Sequence, residues 1–113
     1  MTKKTYRAPS LLAMKRVTTH PGEMLDEEFL KPLGVSARAL ASEIDVPANR
    51  LTEMIAGRRG MTADTAIRLA RYFSNSAEFW MNLQAMHDLT KEVVGKRKAY
   101  AKIKTRKIET EAA

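Results

Sequence analysis

None of the 113 residues is cysteine, which excludes disulfide scaffolds and cysteine-ligated metal sites. Aromatic residues make up only 6% of the chain. They do not cluster with β-branched residues or alternate with period two, so a strand signal is missing. No apolar run approaches the roughly 18 residues of a membrane span. The short apolar patch at residues 11–14, behind Lys3, Lys4 and Arg7, is too brief for a signal-peptide core. A cytoplasmic protein with no membrane partner is the expectation. The two histidines, His20 and His87, lack the i, i+3 or i, i+4 spacing of a metal pair. Each reads as a surface or capping histidine, and neither a metal nor a cofactor is expected. There is no glycine-rich phosphate loop. Glu23, Asp26, Glu27 and Glu28 crowd the first turns of one segment, where a helix dipole accounts for them, and no nucleophile or oxyanion group accompanies them. The chain is not expected to be an enzyme.

What is present is charge. Twenty Lys and Arg stand against 13 Asp and Glu, a formal net charge of +7, which implies an acidic partner if the distribution makes sense. The surplus lies in the flanks: residues 1–19 carry +5 and residues 91–113 another +5, whereas residues 20–90 carry −3. Within that acidic centre the stretch 38–71 holds six arginines against four acids, so an anion would be met there. The three-part division is a basic arm (1–19), a single domain (20–90) and a basic tail or helix (91–113), the last reading most simply as a solvated extension.

Helical spacing recurs five times, and the expected fold is all-α. A first helix opens at Pro21, turns Leu25 and Phe29 inward, and ends at Lys31, Pro32 and Gly34. Ser36 is placed to cap a second, striped by Leu40, Ala41 and Ile44. Residues 45–47 break it, and a third runs from about Ala48 to Ala56 and stops at Gly57. Thr62 caps a fourth, with Ala63, Ala66, Leu69, Ala70 and Phe73 on one face. Asn75 and Glu78 have capping-box spacing for a fifth, carrying Phe79, Trp80, Leu83, Met86 and Leu89 and ending near Thr90.

The second and third helices, with a tight break between them, have helix-turn-helix spacing. Ala41 must be small where the helices cross, and Val46, Leu51 and Ile55 must be apolar to seat the third helix. At about 100° per residue, Leu51, Met54, Ile55 and Arg58 cluster on one side, opposite Asn49, Thr52, Glu53 and Ala56. On the free face Asn49 can pair with adenine and Arg50 with guanine. Thr52 can meet a base or the backbone, Ala48 can touch a thymine methyl, and Glu53 can accept from cytosine or reject phosphate. Arg50 lies to the side of that face, so phosphate contact is nearly as good a reading for it. Arg38, Arg58, Arg59 and Thr62 are the candidates for phosphate contacts.

Several residues read together carry a resemblance: His20-Pro21-Gly22-Glu23, Glu28-Phe29-Leu30 with Pro32-Leu33-Gly34, Arg68-Leu69-Ala70, Phe79-Trp80, and Asn82-Leu83-Gln84 with Asp88-Leu89. Over about residues 18–90 the chain resembles the HigA-type antitoxins, also called the virulence-associated protein I group, within the lambda-repressor-like helix-turn-helix proteins. The resemblance implies a five-helix DNA-binding domain; the basic extensions, 1–17 and 91–113, fall outside it and inherit nothing from it. It also implies a homodimer that binds a palindromic operator at its own promoter and neutralises a HigB-type toxin, an mRNA-cleaving relative of the RelE toxins. Two positions depart from the pattern: Asp45 stands where such motifs often have Gly, and His87 where Tyr is common. Trp80 and Leu83 are the expected dimer contacts, and the apolar patch Leu11, Leu12 and Met14 reads as a dimer arm, an unordered terminus or a toxin-docking segment. A stand-alone regulator with the same fold, and a basic protein whose arms bind RNA or the ribosome, are the competing readings.

Overall fold

The computed structural model describes residues 11–106. The expectations for residues 1–10 and 107–113, the outer parts of both basic arms, lie outside the described residues. A single 3-10 turn, Leu11–Ala13, precedes five helices, and no strand occurs among the described residues.

The first helix, α1 (residues 21–33), starts at Pro21, with His20 as its cap: the Nδ1 of His20 accepts the Gly22 N–H at 2.8 Å. Its middle, Leu25–Leu30, is widened to π geometry, and the Lys31 N–H reaches back to the Asp26 carbonyl. Pro32 supplies the physical reason. It cannot donate to the Glu28 carbonyl and its ring would strike that group, so the wider turn absorbs the conflict. Gly34, at φ 68°, closes the helix.

Ser36 caps α2, Ala37–Glu43, accepting from the Ala39 N–H at 3.1 Å. The chain then turns through Asp45 at φ 59°, the position where the sequence lacks the usual glycine. Asp tolerates this left-handed conformation better than most residues. The Val46 N–H returns to the Ala41 carbonyl at 3.0 Å, and α3, Ala48–Ile55, follows Pro47. Gly57, at φ 80°, ends α3, while the Gly57 and Arg58 N–H groups satisfy the carbonyls of Met54 and Glu53. Thr62 caps α4, Ala63–Phe73.

The last helix, α5, spans Ala77–Ala101 and corrects two expectations. Its cap is Ser76, whose hydroxyl oxygen accepts from Phe79 N–H at 3.0 Å. Asn75 instead accepts from the indole N–H of Trp80 at 2.9 Å. Nor does the helix stop near Thr90. That side chain is fully buried, bonds the Met86 carbonyl within the helix at 2.7 Å, and accepts the Thr18 N–H at 3.0 Å. Val93 is buried too. Gly95 costs only regularity: Lys96 leaves helical geometry (φ −131°, ψ 32°) and the helix resumes.

The core gathers Leu25 and Leu30 of α1, Leu40, Ala41 and Ile44, Leu51 and Met54 of α3, Met61 of the following loop, Ala66 and Leu69 of α4, and Trp80. Trp80 has no exposed surface, because Phe29, Phe73 and Phe79 surround it with ring centroids 4.9–6.4 Å from its own. The expectation that it contacts a second subunit is therefore corrected: the indole is spent inside the monomer, where burying about 150–250 Å² is worth roughly 4–6 kcal/mol. Leu83 is half-buried and packs against the same core.

Candidate nucleic-acid interface

The helix-turn-helix pair is positioned by three local devices. Ala41 is buried where α2 meets α3, as its small size requires. Leu51 and Met54 turn fully inward, which leaves Asn49 and Thr52 exposed along the opposite side of α3, with Ala48 and Glu53 half-exposed at its edges. Gly22 lets α1 approach so closely that a Cβ there would lie 1.9 Å from the Met54 carbonyl oxygen. The end of α3 is thus seated on the start of α1.

The charged side chains are ordered by ion pairs that sequence spacing does not reveal. Arg50 turns its guanidinium to Asp64 on α4. Arg68 binds the same carboxylate through Nε at 2.9 Å and donates to the turn carbonyl of Ile44 at 2.9 Å. One carboxylate thereby joins α3, α4 and the turn. The hydrogen bonds from Arg50 and then Arg68 hold the Asp64 carboxyl below the ordinary range. Arg58 forms a fork on Glu53, with Nε and a terminal nitrogen at 2.9 and 3.1 Å from the two carboxylate oxygens. That pairing lowers the Glu53 pKa. Because α3 has already ended at Ile55, Arg58 does not continue its inward stripe and stands exposed.

Of the residues expected to meet phosphate, Arg59 is exposed in the loop after α3 and makes no ion pair among the described residues. Arg38 is exposed in the first turn of α2. The Thr62 hydroxyl is engaged at its own helix start, accepting from the Thr65 N–H and donating to the Thr65 hydroxyl. The structure thus groups Asn49, Thr52, Glu53 and Arg58 around one side of α3, while Arg50 is drawn toward α4.

Sequence reasoning missed the residues that hold this surface. Gln84 of α5 accepts the Met61 N–H at 2.6 Å and donates to Asp88 at 2.9 Å, anchoring the loop that carries Arg58 and Arg59. The one available signal was its place in Asn82-Leu83-Gln84. His20 and His87, 67 positions apart, stack edge-on with centroids 4.9 Å apart. A polar cleft beside them is lined by Arg58, Arg59, Gln84, Asp88 and Lys91. His87 carries its proton on Nδ1, because its partner at 2.7 Å is the Thr18 carbonyl, which can only accept. Arg97 donates to the carbonyls of Leu12 and Met14 at 2.6–3.0 Å. The N-terminal segment, for which toxin docking is one of the expectations, is therefore strapped along α5, and Leu11 and Leu12 line an apolar groove there with Leu89, Val93 and Tyr100.

Two short helices joined through a left-handed turn, with the second exposing a polar face and seated by three further helices, define a helix-turn-helix protein of the lambda-repressor-like class. No protein-family model matches the chain. It is 53% identical over 70 residues to virulence-associated protein I of Dichelobacter nodosus, covering 62% of this chain and 65% of that protein, a little under two thirds of its length. It is 43% identical over 75 residues to antitoxin HigA-1 of Vibrio cholerae, covering 66% of this chain and 70% of the relative. Among solved structures, the Pseudomonas aeruginosa antitoxin HigA with higBA promoter superposes with a TM-score of 0.70 at 41% identity, over 76% of this chain and 95% of that one. The chain belongs to the HigA antitoxin family.

Proposed function

We propose that the protein is an operator-binding antitoxin that represses its own promoter and neutralises an mRNA-cleaving toxin of the HigB and RelE kind, acting in the cytoplasm as a homodimer. The observation that carries the reading is the exposed side of α3, free of core duty and rigidly mounted, in a chain 41% identical to an antitoxin solved with its promoter. In this reading α3 enters a major groove and Asn49 and Thr52 meet base edges, with Glu53 restricting which bases are tolerated. Arg38 and Arg59 neutralise phosphates, and Thr62 marks the backbone-facing start of α4. Arg50 and Arg58 enter this contact only by exchanging Asp64 and Glu53 for DNA, so they add discrimination rather than raw attraction. Two-fold symmetry places half-sites about 34–36 Å apart or a multiple of that. No helix among the described residues is long and apolar enough to cross a membrane, in keeping with a cytoplasmic site of action.

The test is a reporter driven by the region upstream of the protein's own gene, combined with co-expression of a HigB-type toxin. The chain is expected to repress the reporter and to restore growth. Repression should be lost, and growth rescue kept, in the Asn49→Ala, Thr52→Ala double variant. A reporter unaffected by the wild-type chain would overturn the DNA-binding half of the reading, and unrelieved toxicity the other half.

A further inference from the structure

The basic tail that the sequence presents as a solvated extension begins at Lys91, yet Lys91 stands inside α5, well before that helix ends. It is exposed and makes no ion pair among the described residues. It lines a polar cleft of about 170 Å³ that α5 shares with the loop after α3, residues 57–60. Of the charges there, Arg58 is neutralised by its fork on Glu53, and Asp88 is held by the Gln84 amide at 2.9 Å. The cleft thus keeps two unpaired cations, Arg59 and Lys91, against one carboxylate. The edge-on rings of His20 and His87 complete its wall. Its loop side is set before any ligand arrives: Gln84 accepts the Met61 N–H at 2.6 Å, and a Cβ on Gly60 would lie 2.9 Å from the same side-chain oxygen. Gly57 and Gly60 leave bare backbone at the wall, where a ligand oxygen can come close.

We infer that this cleft grips one phosphate of the DNA backbone between Arg59 and Lys91, and that Lys91 is a DNA contact supplied by the last helix. The inference rests on the proposed function and adds to it a contact from outside the helix-turn-helix pair. DNA is favoured over a free anion by continuity. The loop that forms one side of the cleft leaves the end of α3 directly, so a duplex that takes α3 into its groove brings a backbone strand to that loop. Two cations from two elements then fix the phosphate in place, which one arginine on a loop does not. Asp88 works against them and keeps the cleft weak toward any anion on its own. A phosphate is held there once α3 has docked and raised its local concentration. The first charge of the basic tail is in this way part of the interface rather than of a solvated extension.

Anisotropy titrations of the full chain across a salt series, with a promoter duplex and a scrambled one, test this. Lys91→Gln should weaken binding to both about three- to tenfold at physiological salt and lower the slope of log affinity against log salt by about 0.9. The preference between the duplexes should stay as it was, since a phosphate contact carries no sequence information. The melting temperature should not move, because the side chain is exposed and unpaired. Asp88→Asn, which keeps an oxygen for the Gln84 amide, should strengthen binding to both. Replacing promoter phosphates one at a time by neutral methylphosphonate should reveal one position that costs the wild type affinity and costs Lys91→Gln and Arg59→Ala much less. An unchanged slope in Lys91→Gln, the lack of such a position, or weaker binding by Asp88→Asn at unchanged melting temperature would each overturn the assignment. So would submillimolar binding of inorganic phosphate in calorimetry that needs Lys91 while DNA binding does not, which would give the cleft to a free anion. Equal affinity of the wild type for the two duplexes, with the Lys91 effect intact on both, would instead defeat the proposed function and leave this contact standing.

Discussion

His20 shows how much one side chain can do at a helix start. Its Nδ1 accepts the Gly22 N–H, so the ring must be neutral with its proton on Nε2; protonating Nδ1 would place two hydrogens against each other. Burial first, then the nearby His87, lower its pKa, with Lys91 adding to the shift and Asp88 and Glu23 opposing it. A histidine whose folded pKa lies below its unfolded value favours folding above the unfolded value, about 6.5, and loses that contribution as pH falls through it toward the folded pKa. The melting temperature should therefore drop between pH 7 and 5 more steeply in the wild type than in His20→Asn, which keeps a capping oxygen without a proton to gain. Parallel melting curves would contradict this. Gly22, two residues on, has a different constraint. A methyl group there meets the Met54 backbone, so Gly22→Ala should destabilise the fold by about 1–3 kcal/mol in urea titration. The Pro-Gly-Glu pattern was legible in the sequence, but the reason for its glycine lay 32 residues away in α3.

At the scale of elements, helix starts were readable because their caps are local. Ser36 and Thr62 sit where side-chain oxygens meet N–H groups three residues on. The break at residues 45–47 was readable for the same reason. What failed depends on distant segments. The shift of the last cap from Asn75 to Ser76 follows from the claim of the Trp80 indole on Asn75. The continuation of α5 past Thr90 depends on the N-terminal segment that bonds Thr90, His87 and Arg97. The aromatic spacing at 79–80 looked like an open face until Phe29 and Phe73 were found covering it. In the candidate interface, Asn49, Thr52 and Glu53 were legible from helical periodicity, whereas the Arg50 pairing with Asp64, 14 residues on, was not. A difference between two neighbouring arginines follows. Arg58 is engaged by Glu53 and Arg59 is not, so Arg59→Ala should weaken binding to all DNA sequences. It should also lower the slope of log affinity against log salt by about 0.9, the share of the single phosphate that Arg59 neutralises. Arg58→Ala frees the Glu53 carboxylate and should change the preference among sequences as well. An unchanged slope for Arg59→Ala would remove it from the interface.

For the whole molecule, the +7 net charge is a poor guide to recognition. The surplus belongs to the two flanks, and the helical centre that presents α3 carries −3. Part of the basic N-terminal segment is itself fastened to α5 through Arg97, so it contributes to the fold as well as to the charge. A protein held to DNA by its basic arms would bind any duplex with the same salt dependence. One reading bases through α3 must prefer its own site, because attraction to phosphates carries no sequence information. Fluorescence anisotropy of the full chain separates the two most directly. The titration compares a duplex from upstream of its own gene with a scrambled duplex of equal length and composition, at one physiological salt concentration. A preference of about a thousandfold or more for the promoter duplex is expected, largely abolished in the Asn49→Ala, Thr52→Ala variant. Equal affinity for the two duplexes would contradict it.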